Sequence, residues 1–204
     1  MKLLNLDPMA LNQLLWPDSQ WYDKQVEMTY SVDENDETYV TAGNQLGKDW
    51  CASNICLNMF LRSIKEGKTC RIVTTSATKD HLNVLWSEMG DWIARSKHPL
   101  LTDNGGPLVF NHLRICHERE KDVPPQHQKS YIIGVVASSD SRGEGLAGHH
   151  AEVTLGVIDE ASGSSDVVYT MFQGWAKRIL AFGNPNNCAN FWRRGIEQGD
   201  LVAQ

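Results

Sequence analysis

The sequence predicts an α/β domain built on a mostly parallel central sheet with helices on both faces, and three observations predict it. Short apolar or β-branched runs alternate with longer segments whose apolar residues recur at helical spacing. The last three runs are almost wholly apolar, as strands covered on both sides are. Each run is stopped by polar or turn residues, and three of these stops carry groups capable of chemistry.

In chain order, "ETYVTAG" (37–43) alternates and is β-branched, which suggests a strand. From Trp50 to Ile64 the residues Ile55, Met59, Phe60 and Ile64 fall at helical spacing. "RIVTTSA" (71–77) reads as a second strand. "KDHLNVLWSEMGDWIARS" (79–96) reads as an amphipathic helix through Leu82, Leu85, Trp86, Met89 and Ile93, a stripe best explained as core packing. "PLVFNHLRICHE" (107–118) is strand-like with polar interruptions and reads as a hairpin; strands are then expected in 130–138, 153–160 and 178–185. Ligands of such sheets bind at the carboxyl ends of the strands. The segments that follow 37–43, 153–160 and 178–185 are therefore expected to meet at one edge.

The 204 residues are expected to form one domain, with 1–36 as an N-terminal segment and 37–204 as the core. A net charge of −6 excludes a protein that coats nucleic acid over its whole surface, yet leaves room for a local basic strip. The longest apolar runs are too short to span a bilayer, and "MKLLNLDPMALNQLLWPDSQ" carries acids and proline where a signal peptide is apolar; a soluble, unexported protein is expected. Five scattered cysteines without a CxxC pair fit reduced thiols better than a disulfide framework. The histidines of "HLRICHE" (112–118) and "GHH" (148–150) lack the four-ligand spacing of a zinc site.

Three segments carry the chemistry. "AGNQLGKD" (42–49) fits the phosphate-loop pattern G-x-x-x-x-G-K-[ST] except at its ends, where Ala42 replaces the first glycine and Asp49 the hydroxyl residue. Gly47 lets backbone amides approach a phosphate, Lys48 supplies a mobile charge, and the helix beginning near Asp49 presents unpaired N–H groups. The backbone and side chains of Gly43, Asn44, Gln45, Leu46 and Trp50 complete the expected cradle. "VTLGVIDEAS" sets Asp159 and Glu160 at the tip of an apolar strand, where one carboxylate can anchor a magnesium shell and the other can deprotonate water. "FGNPNN" offers Asn184 and Asn186 as polar sensors after another strand, in a segment that is also strong turn chemistry. Together they point to a P-loop ATPase with a catalytic glutamate, of the type with an additional strand in its sheet.

The order of these elements resembles the ATPase domain of tailed-bacteriophage terminase large subunits, over about Gln20 to Arg194. "WYDKQ" (21–25) is similar to the family's adenine-reading Q-motif, with Gln25 lying 23 positions before Lys48 and Tyr22 placed to stack on the base. "AGNQLGKD" resembles its Walker A loop, "GEGLAGHHAE" (143–152) the segment before Walker B, "VIDEAS" Walker B, and "LAFGNPNN" the coupling motif. The resemblance implies ATP hydrolysis with Mg2+, driving double-stranded DNA into a procapsid. It also implies a ring of five subunits on the portal protein, a small terminase subunit as partner, and no membrane. The protein would work in the cytoplasm of the infected bacterium, attached only transiently to the procapsid and absent from the mature virion. Members of the family continue into a nuclease domain, which this chain is expected to lack.

Two departures matter. Many members carry an arginine at the position of Asn44. Another is then expected to meet the charge on the transferring phosphoryl group, and Arg142 is the candidate, ahead of Arg178, Arg193 and Arg194; the family's trans-acting arginine aligns nearest Ala147. Asp49 brings a carboxylate toward a triphosphate, costing on the order of 4 kcal/mol per pair at about 4 Å and an effective dielectric of ~20. A magnesium ion held by Asp49 and Asp159, directly or through water, reverses that sign, so a working, metal-dependent site is expected. Two other readings stay open: a helicase-like ATPase of repair or replication, and a nucleotide-binding scaffold that no longer hydrolyses.

Overall fold

The computed structural model describes residues 4–43, 46–137 and 144–198. Its seven strands form one sheet in the order β1-β7-β6-β2-β5-β4-β3: β1 Glu37–Thr41, β2 Cys70–Ser76, β3 Leu108–Asn111, β4 Arg114–His117, β5 Tyr131–Val136, β6 Val153–Asp159 and β7 Arg178–Gly183. From β1 to β5 every neighbouring pair is parallel, while β4 runs antiparallel to β5 and pairs with β3 as the expected hairpin. The helices are α1 Pro8–Leu15, α2 Asp23–Glu34, α3 Lys48–Lys65, α4 Lys79–Arg95, α5 Asp166–Gln173 and α6 Phe191–Gln198.

Both sheet faces are covered, which explains the near-continuous apolar strands. Ile72, Leu155, Val157, Leu180 and Phe182 share one core with Phe60 of α3 and Leu82 and Met89 of α4. Val73, Ile158, Ile179 and Ala181 share the other with Phe172 of α5 and Phe191 and Trp192 of α6. The registers place Thr41 opposite Gly183, Ile158 opposite Ala181, and Ser76 opposite Asp159. The carboxyl ends of β1, β7, β6 and β2 thus lie side by side, as the sequence leads one to expect, and β7 stands between β1 and β6.

The N-terminal segment is helical, which its pattern conceals. The buried face of α2 consists of Gln25, Met28, Thr29, Val32 and Asp33, a correct helical spacing in which three of the five residues are polar. Asp33 is tolerated there because Arg62 of α3 meets it at 2.6 Å, both side chains being 3% exposed. The same guanidinium donates to Asn58 Oδ1 at 2.7 Å and to the Leu6 carbonyl at 2.9 Å, and Asn58 Nδ2 donates to Pro8 O and Asn12 Oδ1, each at 2.8 Å. Arg62 and Asn58 thereby fasten the first 34 residues' helices to α3. Tryptophans add a second clasp. Trp92 stacks on Trp21, meets Trp50 at a 42° tilt and Trp16 edge-on, with centroids 4.4 to 5.8 Å apart. Trp92 Nε1 donates to Trp50 O and Trp16 Nε1 to Trp92 O.

The cysteines are free, and Cys51, Cys56, Cys70 and Cys116 are buried. His149 pairs its ring nitrogens with the Tyr131 hydroxyl at 2.7 Å and the Gly145 carbonyl at 3.0 Å, and its ring meets Trp175 edge-on. These contacts account for His149, the first histidine of "GHH", as a packing group. No helix among the described residues is long and apolar enough to cross a membrane.

Removing one partner of a buried ion pair strands the other without water. Asp33→Ala is expected to lower the unfolding free energy by about 3–5 kcal/mol, read as a shift in urea midpoint. A loss below about 1 kcal/mol would show that the pair does not hold the N-terminal helices.

Candidate functional site

The Gly-Lys loop turns between β1 and α3. Gly47 adopts φ +74°, in the left-handed region where a side chain is strained, and caps α3, whose first residue is Lys48. A Cβ at Gly47 would stand 2.9 Å from Gln25 Nε2, so the absence of a side chain lets the amide of α2 approach the loop. Gln25 is itself fixed: its Oε1 accepts from the Tyr22 amide at 3.2 Å, and its carbonyl accepts from Thr29 Oγ1 at 2.8 Å. Tyr22, Gln25, Met28, Val40, Leu46 and Lys48 line a cavity of ≈ 230 Å³ that opens beside this turn. Tyr22 is 74% exposed at its mouth. The cavity is mostly apolar, with the Gln25 amide and the ammonium groups of Lys24 and Lys48 in its lining, which suits a flat heteroaromatic group joined to an anion.

Next to the loop lie the carboxylates. Lys48 Nζ is 3.8 Å from Asp49 Oδ2. Asp159 closes β6 at 3% exposure, and burial pushes its carboxyl up to about 6, with the neighbouring Asp49 adding to the rise. Asp49 is raised for the same first reason, burial; Lys48 and His81 pull it down and Glu160 pushes it up. His81, in the first turn of α4, also draws Asp159 down. Asp49 and Asp159 therefore share a poorly solvated space, and the charge of Glu160 bears on both.

Glu160 takes the left-handed conformation, φ 50° and ψ 48°, unusual for a residue with a side chain and frequent at functional turns. Its Oε1 accepts from Ser162 Oγ at 3.4 Å and from Asn184 Nδ2 at 3.5 Å. Gly183, at the end of β7, makes room for this turn, since a Cβ there would meet the Ala161 amide at 3.1 Å. Asn190 Nδ2 ties the turn from below by donating to Ala161 O at 2.8 Å and Ser164 O at 2.7 Å.

No protein-family model matches the sequence, and a search of the curated proteins returned no match. Solved structures do match. The ATPase domain of the Thermus Phage P74-26 large terminase aligns with a TM-score of 0.61 at 16% identity, covering 96% of this chain and 76% of that chain. A mutant of that domain gives 0.65 at 17% identity, over 96% and 77%. The chain has the fold of a phage large-terminase ATPase domain. The HK97 bacteriophage large terminase aligns with a TM-score of 0.58 at 12% identity, covering 84% of this chain and 35% of that chain, so the chain spans about a third of the HK97 protein. The resemblance carried by the motifs is thus met in the terminase-like fold.

The structure brings most of the expected residues together. Tyr22, Gln25, Leu46, Gly47 and Lys48 border the cavity, and Asp49, Asp159, Glu160 and Asn184 follow along the same edge. Gly43 does not line the cavity, and a Cβ there would come within 3.6 Å of Leu46 Cδ1. The Trp50 ring packs 4.7 Å from Trp21 and 4.4 Å from Trp92, in the tryptophan clasp and outside the cavity lining. Arg178 lies elsewhere. It starts β7 and pairs with the exposed Asp36 at 2.5 Å, beside a cavity of ≈ 450 Å³ at the opposite, amino-terminal edge of the sheet. That cavity is larger but touches no motif residue, and the chemistry argues for the smaller one. Arg194 and Arg193 lie on α6, paired with Asp166 and Glu197. Asn44, Gln45 and Arg142 lie outside the described residues. His81, Ser76 and Asn190 were not legible as site residues; only the strand register and the turn contacts place them there.

Magnesium needs no cage of its own, since one or two carboxylates plus phosphate oxygens satisfy it. Among the described residues no group of three or more His, Cys, Asp and Glu could hold a metal. The pair Asp49 and Asp159 fits the first arrangement, each carboxyl raised by burial and the other's charge adding to the rise at Asp159, the situation a cation relieves.

A buried carboxyl held near 6 instead of 3.8 costs on the order of 2–3 kcal/mol when ionised. Because the folded value is the higher one, stability from this group is present at low pH and lost as pH rises from about 4 through about 6. Asp159→Asn is therefore expected to raise metal-free stability by about 1–3 kcal/mol at pH 7, a gain that fades as pH falls toward 4. A variant less stable than the parent at pH 7 would contradict the assignment.

Proposed function

We propose that the chain is a P-loop ATPase module, with the additional strand β7 between the loop strand and the acidic strand, that powers DNA packaging by a phage motor. The observation that carries this reading is the convergence of the Gly-Lys turn, the Asp159–Glu160 pair and Asn184 at one edge of a terminase-like sheet. Gln25 reads the adenine edge, offering an acceptor and a donor, and Tyr22 stacks on the base. Gly47 and the first amides of α3 receive the phosphates, and Lys48 turns from Asp49 to the β- and γ-phosphates. Asp49 and Asp159 hold Mg2+, which when bound neutralises the triphosphate charge.

Glu160 accepts a proton from the attacking water, so that the oxygen–phosphorus bond forms as the bond to the ADP oxygen breaks. The left-handed turn and the Asn184 amide aim its carboxylate, and Asn184 relays the phosphate state to β7 and onward. Arg142 remains our candidate for the arginine that meets the transferring phosphoryl group from a neighbouring subunit. By the same likeness, the working assembly is a ring on a portal, expected to hold five subunits, acting on double-stranded DNA with a small terminase subunit. It would assemble in the cytoplasm of an infected bacterium. No observation favours a helicase-like or scaffold role.

Phosphate release by the parent, Lys48→Ala and Glu160→Gln tests the reading, with nucleotide binding followed in parallel. Glu160→Gln is expected to keep binding and lose about 10²–10⁴-fold in turnover, whereas Lys48→Ala loses binding. Unchanged turnover by Glu160→Gln would remove it from the chemistry. Gln25→Ala is expected to narrow the preference for ATP over GTP; equal discrimination by parent and variant would remove Gln25 from base recognition.

A further inference from the structure

The loop carries a carboxylate where the phosphate-loop pattern carries a hydroxyl, and an unused hydroxyl lies within the same edge. Ser76, the last residue of β2, is 0% exposed, and its Oγ has no hydrogen-bond partner. Buried hydroxyls are almost always paired, so an unpaired one marks a place where a water or an ion can bind. Its direction follows from the sheet. Ser76 is the register partner of Asp159, and partners on parallel neighbours turn their side chains to one face.

Thr74, two residues earlier, accepts from Trp86 Nε1 of α4, and Val157, two residues before Asp159, packs in the core of α3 and α4. Ser76 and Asp159 therefore share the face on which α3 and α4 begin, with Asp49 and His81 in the first turns. Thr75 points to the other face and donates to Val135 O at 2.6 Å.

We propose that Ser76 Oγ is the neutral oxygen of the cation position bounded by Asp49 and Asp159, replacing the hydroxyl that the loop lacks at Asp49. This rests on the site being a magnesium–nucleotide site. A hydroxyl there completes the oxygen shell of a hard divalent cation, as ligand or as partner to its bound water, without adding a third negative charge beside the triphosphate. It also explains how a loop can exchange its serine or threonine for aspartate: the two residue types are divided between neighbouring elements.

The test is a Mg2+ titration of binding of a non-hydrolysable ATP analogue to the full chain, read by tryptophan fluorescence, for the parent, Ser76→Ala and Thr75→Val. Ser76→Ala is expected to raise the half-saturating Mg2+ concentration roughly 10-fold, while Thr75→Val matches the parent. Without metal, Ser76→Ala is expected to melt no lower than the parent, since the hydroxyl it removes has no partner. Identical Mg2+ dependence of Ser76→Ala and parent overturns the inference, as does an equal shift in both variants or a lower metal-free melting point for Ser76→Ala. A parent that binds the analogue with no dependence on Mg2+ overturns the underlying reading of the site, a result distinct from failure of Ser76 alone.

Discussion

Four parallel strands that end within about a residue of one another impose the arrangement on which everything else in this chain depends. Parallel strands need crossovers, so each carboxyl end must be followed by a turn into a helix or loop at the same edge. The chain sets its polar groups there: Gly47 and Lys48 after β1, Ser76 at the end of β2 with His81 beyond it, Asp159 at the end of β6 with Glu160 next, and Asn184 after β7. The edge gathers acids at a cost to stability, because Asp159 and Asp49 are both desolvated and near one another. Such local conflict between fold and charge is expected where a site must receive a cation and a phosphate chain.

The second constraint joins the base-reading side to the phosphate side. Gln25 belongs to α2 and Lys48 to α3, and neither helix contacts the other through a large apolar face alone. The buried Arg62–Asp33 pair, the Asn58 amide and the tryptophan clasp fix α1 and α2 against α3 and α4. Trp50 follows Asp49 directly, so the clasp also restrains the first turn of the loop helix.

Much of the fold was legible because burial on both faces writes itself into composition. The runs at 71–77, 153–160 and 178–185 became β2, β6 and β7 with ends shifted by only a residue or two. The first strand stopped at Thr41 because the chain turns into the loop, and α3 began at Lys48, two residues before its apolar stripe shows. The N-terminal helices were hidden because Gln25, Thr29 and Asp33 are polar yet buried, the first two satisfied within their own helix and Asp33 by Arg62 of another element. The motif residues of the candidate site were legible because glycine, lysine and acid at strand ends have few packing uses. Ser76 and His81 were not, since a serine and a histidine acquire meaning only once the strand register sets them beside Asp159. The packing of the Trp50 ring was not legible either, because proximity in sequence to Lys48 says nothing about which side of the helix a ring takes.

The central claim is that this edge binds a magnesium–nucleotide complex, and a structure determined with Mg2+ and a non-hydrolysable ATP analogue tests it most directly. The phosphates are expected at Gly47 and Lys48, the base in the cavity between Tyr22 and Gln25, and the ion between Asp49 and Asp159. A nucleotide seated instead in the cavity beneath Asp36 and Arg178, or phosphates away from Lys48, would contradict it.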